Sequence, residues 1–200
     1  MVSRSWLLAA GLLAVGCKQS PRSLVQEPTP DSASIEKARA VADSLGDELM
    51  VGLSQALEQG GPSLAIHFCA DSAQVRTFHH WKNGVYIRRV SERIRNVNDA
   101  PDTLELQALR RLAADQKAGH VPEEVMSVIR AADGTFQLQY LRPLLVQRAC
   151  LPCHGDPATF APEVRAVLAR RYPLDQATGY AVGDLRGAVS VRVPLTAGSR

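Results

Sequence analysis

The sequence lacks a run of basic residues, an internal repeat and an apolar segment long enough to span a membrane. Lys and Arg number 23 against 20 for Asp and Glu, a formal net charge of +3. So small an excess, without a basic cluster, argues against nucleic acid as a partner and against a polybasic membrane anchor. The apolar run at residues 6–16 is too short to cross a bilayer. With 200 residues, 46% of them hydrophobic, the chain fits one globular domain with additional segments.

Cysteine is also scarce, and its distribution disfavours two common roles of paired cysteines. The sequence has four cysteines, of which Cys150 and Cys153 form its one Cys-x-x-Cys pair. A structural zinc site generally takes four ligands, often from two such pairs. A thioredoxin-like dithiol is expected in a βαβ context at the start of a helix. The sequence offers neither, so a structural disulfide or a chance match remains as the plain alternative.

A histidine follows the pair directly, and this order is the attachment signature of c-type haem. The thiols of Cys150 and Cys153 would add across the two vinyl groups of a haem. His154 would then lie under the iron as an axial ligand, a role that suits imidazole because it is a good iron donor at neutral pH. We therefore predict one covalently bound haem c at residues 150–155.

The N-terminus has the form of a bacterial export signal. Arg4 provides the positive end, residues 6–16 the apolar run, and Cys17 follows a small residue. A cysteine there is typical of lipoprotein cleavage, although Ala14 stands where such sites usually carry leucine; an unmodified Cys17 is the alternative. We predict a signal peptide over residues 1–16 and a lipid on Cys17 that anchors the protein at the periplasmic face of a bacterial membrane. Export agrees with the haem prediction, because c-type haem is attached outside the bacterial cytoplasm.

The mature chain divides into a tether and a domain. Residues 17–33 are polar and proline-rich, which is typical of an extended tether. Residues 34–200 are predicted to form one domain, whose helices follow from apolar periodicity and from stop signals such as Gly60-Gly61-Pro62. The predicted helices span residues 34–58, 63–80, 102–117 and 162–171.

Four segments of the domain have the composition of strands. Two of them flank Asp133-Gly134, a dipeptide that favours the primed turn of a β-hairpin. The predicted strands span residues 85–90, 124–131, 135–141 and 187–194. The predicted fold class is therefore α+β, an antiparallel sheet of about four or five strands packed with helices.

The residues alone leave the second axial ligand open. Cys69 has no other assigned role, and an unpaired thiol is a liability in an oxidising compartment unless it is buried or used. Its helical face carries small residues that would let a flat macrocycle approach, whereas His67 points about 200° away. A buried thiol without a ligand role is the plain alternative. The full set of candidates, besides no protein ligand at all, is His67, Cys69, His79, His80, His120 and Met126.

Two arginines in the strand at residues 85–90 are candidates for binding the haem propionates. Arg88 and Arg89 point to opposite faces of the strand, and each face also carries apolar residues. An arginine can hold a carboxylate with two hydrogen bonds. Its aliphatic part can equally well cover apolar surface, and the sequence does not choose between these roles.

Beyond the haem motif, the chain resembles a family of bacterial and cyanobacterial domains, long of unknown function, with a PAS-like fold and one c-type haem. The resemblance implies that fold here, with His154 and Cys69 as the two axial ligands. Departures are small: Val97 stands where the family commonly has proline, and an aromatic is often found near Leu104. The matching stretches are Ala65-Ile66-His67-Phe68-Cys69, Ile87-Arg88-Arg89-Val90-Ser91, Arg95-Asn96 with Asn98 and Pro101, Arg142-Pro143-Leu144, the haem motif, and Leu185-Arg186-Gly187-Ala188-Val189-Ser190-Val191.

A His/Cys-ligated haem would suit a sensor. A thiolate favours ferric iron and lowers the reduction potential. Its loss on reduction or protonation would open the iron to nitric oxide, carbon monoxide or another small ligand. We therefore expect a redox or small-gas sensor that acts through a separate signalling partner, with a membrane-tethered electron carrier and its redox partner as the second hypothesis. An enzyme is least expected, because two protein ligands leave no open position on the iron.

Overall fold

A computed structural model describes residues 27–81 and 84–195. The predicted signal peptide, the predicted lipidation site Cys17 and residues 18–26 of the predicted tether lie outside the described residues. Within that part of the chain, no helix is both long and apolar enough to cross a membrane.

The N-terminal side of the domain is a long, kinked helix. α1 (Ser32–His67) is capped by the carboxylate of Asp31, which accepts a hydrogen bond from the first turn. The backbone leaves helical geometry at Gly60 and Gly61, where Gly61 has φ 64°, a value that glycine adopts without strain. Pro62 opens the second arm, as its fixed φ allows. The kink confirms the predicted break between two helical segments.

The second arm does not continue as one α-helix to residue 80, as its periodicity predicted. It passes into a π-helical turn (Phe68–Ser72), in which Ala73 N–H donates to Phe68 O. The chain then resumes as α2 (Ala73–His79). Single π turns inside α-helices are often found at functional sites, and this one contains Cys69.

A four-stranded antiparallel sheet forms the centre of the domain, in the order β1-β4-β3-β2. This confirms the predicted α+β class, and β4, the last strand in the sequence, pairs with both β1 and β3. The strands are β1 (Tyr86–Val90), β2 (Val125–Arg130), β3 (Phe136–Leu145) and β4 (Leu185–Leu195).

The hairpin between β2 and β3 forms where it was predicted, but with a different turn. Ala131 N–H donates to Thr135 O at 2.8 Å and Gly134 N–H donates to Ala131 O at 2.9 Å. These bonds enclose three residues, with Gly134 at φ 85°, which is the usual build of a three-residue hairpin loop. The two-residue primed turn expected from Asp133-Gly134 is therefore wrong.

Three further helices complete the fold. α3 (Thr103–Lys117) begins with a capping box between Asp102 and Glu105, and α5 (Pro162–Arg171) has the predicted bounds. α4 (Leu151–His154) is a single turn that carries most of the haem motif.

Helices pack on both faces of the sheet. α1 packs on one face, where Ala38, Ala42 and Leu45 contact the centres of the strands. α3 packs on the other face through Leu109 and Leu112. Since strand side chains alternate between faces, neighbouring residues of β1 meet different environments. The side chains of the α1 face include Ile87, Leu138, Tyr140, Val189, Val191 and Val193.

Candidate functional site

A cavity of about 510 Å³ lies between α1, the π-helical turn, the sheet and the haem-motif segment. This volume falls within the roughly 300–1,000 Å³ typical of small-molecule and cofactor sites. The side chains of Cys69, Cys150, Cys153 and His154 all line it. The three cysteines are free thiols, so the structural disulfide considered for Cys150 and Cys153 is not formed.

His154 is held as a neutral imidazole. Its Nδ1 lies 2.7 Å from the carbonyl oxygen of Ala177, and this geometry requires Nδ1 to carry the proton and donate. Burial, followed by the positive charges of Arg95 and Arg186, lowers the pKa of His154 to about 3. The Nε2 lone pair is therefore free to bind a metal, in the arrangement commonly found for ligating histidines.

The backbone around the motif is tied to a distant loop. Arg95 donates from Nη2 to Cys153 O, and its Nε donates to Asp175 at 2.9 Å. The carbonyl of His154 accepts from Tyr180 N–H at 3.0 Å. At Gly155, an added Cβ would lie 2.8 Å from the backbone oxygen of Leu151, so a larger residue would disturb the end of α4. These contacts fix the backbone of the motif beside the cavity.

Cys69 faces the same cavity from the π-helical turn. It packs against a mostly aliphatic cluster that includes Ala65, Phe68 and Ala73. Burial raises the pKa of its thiol, while the nearby charges of Arg89 and Arg95 oppose that rise. The side chain is thus a buried sulfur donor with cations nearby, which is a suitable environment for a metal-bound thiolate.

The other five candidates for the second axial ligand do not line the cavity. His67 accepts a hydrogen bond from Arg171 at 3.1 Å, and His80 pairs with Glu48 at 2.9 Å. His79, His120 and Met126 are exposed to solvent. All five lie in the described part of the chain, so the structure brings only Cys69 together with His154. The ligand role of Cys69 stays a prediction.

The two candidate arginines of β1 are separated by the sheet. Arg89 lines the cavity, and its Nη2 lies 3.5 Å from Asp99. Arg88 points to the α3 face, where it donates to Asn98 O at 3.1 Å and lies 3.9 Å from the buried carboxylate of Glu105. Arg88 therefore balances a buried charge outside the cavity, and only Arg89 is placed to meet a group within it.

Two further arginines line the cavity and were not singled out from the sequence. Arg95 and Arg186 come from the loop after β1 and from the start of β4. Burial, together with the charges of Arg95 and Arg89, lowers the pKa of Arg186. Asp99 pairs with Arg89 and Asp175 with Arg95, so the three guanidinium groups keep an excess of positive charge, which favours a bound anion. Arg95 and Arg186 do occur in stretches that carry the family resemblance, which is the signal that could have identified them.

These features fit a haem. The cavity presents two thiols for covalent attachment, a neutral imidazole and a second sulfur donor. Arg89 Nε is buried and has no hydrogen-bond partner among the described residues, so it can receive a carboxylate such as a propionate. A structural zinc site fits less well, since within residues 27–81 and 84–195 no three His, Cys, Asp or Glu side chains form a metal-binding group.

Comparison with known proteins gives a family and a fold. A family model with the description "Tll0287-like: Tll0287" matches residues 21–194, which confirms the resemblance found in the sequence motifs. The solved structure described as "Crystal structure of the cyanobacterial heme-protein Tll0287" is similar to this one, with a TM-score of 0.61 and 25% sequence identity. The similarity covers 85% of this chain and 100% of that chain. A search of curated proteins found no match.

Proposed function

The chain belongs to the Tll0287-like family, and on this premise we propose that it is a PAS-like, c-type haem protein that senses redox state or a small gas. Cys150 and Cys153 hold the haem by thioether bonds, and His154 and Cys69 are its axial ligands. The observation that carries the proposal is the convergence of these four side chains on one cavity of about 510 Å³. The resident haem supplies a redox-active iron and a position for diatomic ligands.

Cys69 is the sensing residue of this proposal. Its thiolate stabilises ferric iron, so reduction weakens the bond between sulfur and iron. The surroundings of the sulfur support both of its forms, because Arg89 and Arg95 favour the thiolate, whereas Ala65, Phe68 and Ala73 provide an apolar environment for the neutral thiol. Burial favours the neutral thiol by raising the pKa of Cys69. A bond that depends on oxidation state is a two-state element of the kind that switches use.

The propionates bind the cationic side of the cavity. Arg89, Arg95 and Arg186 all line it, and two carboxylates would offset much of their mutual repulsion. Asp99 and Asp175 already pair with Arg89 and Arg95, which fixes the positions of these two guanidinium groups before haem is attached. The arginines would therefore orient the haem and neutralise the charges of its propionates.

The proposal is tested by the variant Cys69→Ala, compared with wild type by absorption and electron paramagnetic resonance spectroscopy in both oxidation states. We expect the low-spin thiolate signal of the ferric protein to disappear in the variant. His67→Ala is the matched control, because His67 lies two residues away and outside the cavity. An unchanged ferric spectrum in Cys69→Ala would show that Cys69 does not bind the iron.

An electron carrier is the second candidate, favoured by the exposed mouth of the cavity. Pro152, Gln147 and Ala149 line the cavity and are exposed, so an edge of the haem would be open to a redox partner. A redox titration separates the two functions. A ferrous absorption spectrum without thiolate ligation, together with slow electron exchange, supports the sensor, whereas rapid, reversible exchange without ligand change supports the carrier. In either function, the lipid on Cys17 would hold the domain at the periplasmic face of the membrane.

A further inference from the structure

One side of the cavity is formed by a single face of α1, and that face includes a second sulfur donor. Met50 is 44% exposed, so its thioether is not fixed within the core. Methionine has a flexible, unbranched side chain, and its sulfur is an established ligand of haem iron. The α1 residues that line the cavity are Gly46, Leu49, Met50, Leu53 and Leu57.

This face of α1 is in direct contact with the turn that carries Cys69. On a neighbouring side of the same helix, Gly52 lets the Phe68 ring of that turn pack on the helix backbone, because an added Cβ would collide with the ring. Leu49 and Leu53 belong to the same apolar cluster as Cys69. Met50 therefore lies on the helix face whose leucines pack with Cys69, and both residues line the cavity, whereas His154 comes from the separate motif segment.

We propose that Met50 replaces Cys69 as the axial ligand of the haem iron in the ferrous state. The inference rests on the proposed haem site and goes beyond it by assigning the ligand of the reduced protein. The iron gains one electron from an external one-electron donor. Cys69 leaves with the bonding electron pair and takes one proton from solvent, and the thioether of Met50 donates a lone pair in its place.

The exchange follows from the preferences of the two sulfur ligands. An anionic thiolate stabilises ferric iron, whereas neutral thioether ligation raises the potential and stabilises ferrous iron. The exchange has a consequence for sensing, because a small gas must then displace Met50 before it can bind. A competitor that occupies the iron about nine-tenths of the time lowers the apparent affinity of the gas about tenfold. The reduced site would thus respond to strong ferrous ligands such as carbon monoxide.

The test compares wild type with Met50→Leu in the intact haem protein. Leucine keeps the size and apolar character of the side chain and removes the donor sulfur. Met126→Leu is the matched control, since Met126 is similarly exposed at 41% but lies on β2 outside the cavity. We expect wild-type and Met126→Leu ferrous proteins to be six-coordinate and low-spin by resonance Raman spectroscopy. Met50→Leu should be five-coordinate and high-spin when reduced, and should bind carbon monoxide about tenfold more tightly.

A second measurement identifies the ligand directly. In protein labelled with ¹³C at the methionine methyl groups, the Met50 signal should move far upfield on reduction, because ligation places the methyl group over the haem ring. The Met126 signal should stay in place. If Met50→Leu leaves both the ferrous coordination and the carbon monoxide affinity unchanged, Met50 only fills space beside the haem and the inference is wrong. That failure differs from a failure of the haem-site proposal, which would appear in the ferric spectrum of Cys69→Ala.

Discussion

At the scale of single residues, function depends on which face of β1 an arginine occupies. Arg88 and Arg89 are neighbours with the same chemistry, yet one lies against a buried carboxylate and the other against the cavity. The sequence showed that the two point in opposite directions, because alternation is a local property of strands. It did not show which face meets the cavity, because that depends on how α1 and α3 pack against the sheet.

This placement predicts different effects for the two substitutions. Arg89→Gln removes a cation beside the proposed haem. Because a nearby positive charge stabilises the electron added on reduction, its removal favours the ferric state. At an effective dielectric constant of about 20 and a separation of roughly 8–12 Å, the loss is about 1–2 kcal/mol. The reduction potential should therefore fall by roughly 40–90 mV, since for one electron about 59 mV corresponds to a tenfold change, or about 1.4 kcal/mol. Spectroelectrochemical titration measures the shift.

Arg88→Gln is the matched comparison on the same strand. The sheet separates it from the cavity, so the potential should change clearly less than in Arg89→Gln. Its effect should instead be on stability, because Glu105 is fully buried and would lose one of its two nearby cations, Arg88 and Arg192. We expect a loss of about 2 kcal/mol in the free energy of unfolding. Equal shifts in potential for the two variants would contradict the assignment of Arg89 to the cavity.

At the scale of elements, local signals predicted helix ends well and missed the π-helical turn. The cap at Asp102 and the bounds of α5 follow from short-range sequence signals. The turn at Phe68–Ser72 begins at Phe68, whose ring packs on Gly52, sixteen positions earlier in the sequence. Apolar periodicity assumes a constant number of residues per turn, so it carries no information about such an insertion.

The contact between α1 and the π-helical turn predicts the effect of Gly52→Ala. A Cβ at this position would collide with the Phe68 ring and displace the turn that carries Cys69. Alanine favours helix by about 0.5–1 kcal/mol, but overpacking costs about 1–3 kcal/mol, so the variant should be less stable by roughly 1 kcal/mol. The ferric thiolate signal should also weaken, because Cys69 follows Phe68.

Chemical denaturation and electron paramagnetic resonance measure the two effects of Gly52→Ala. Gln55→Ala is the control on the same helix, since Gln55 is exposed and the change should alter stability by no more than about 0.5 kcal/mol. A Gly52→Ala protein with wild-type stability and an unchanged signal would show that the contact does not position Cys69.

At the scale of the whole molecule, the parts of the chain that meet at the cavity are far apart in sequence. Cys150, Cys153 and His154 could be singled out from the sequence because the c-type haem signature places them close together, and all three line the cavity. Arg186 was not singled out, because only the pairing of β4 with β1 brings it beside Arg89. The cavity therefore joins both ends of the domain around a group of cations. The haem-free domain should accordingly depend on another anion to offset that charge.

This dependence is tested with the haem-free variant Cys150→Ala/Cys153→Ala. Loss of a group that binds only the folded state removes its stabilisation, and we expect at least about 3 kcal/mol, or roughly 6–12 °C in Tm for a chain of this size. Sulfate should restore part of that loss by occupying the site between the guanidinium groups of Arg89, Arg95 and Arg186. Sulfate also stabilises proteins in general by exclusion from their surfaces. The haem protein, in which the proposed propionate contacts would fill the cationic site, is the control for that effect. Sodium chloride at equal ionic strength controls for screening. An equal sulfate-dependent rise in Tm for the haem-free and haem proteins would show that the three arginines do not form an anion site.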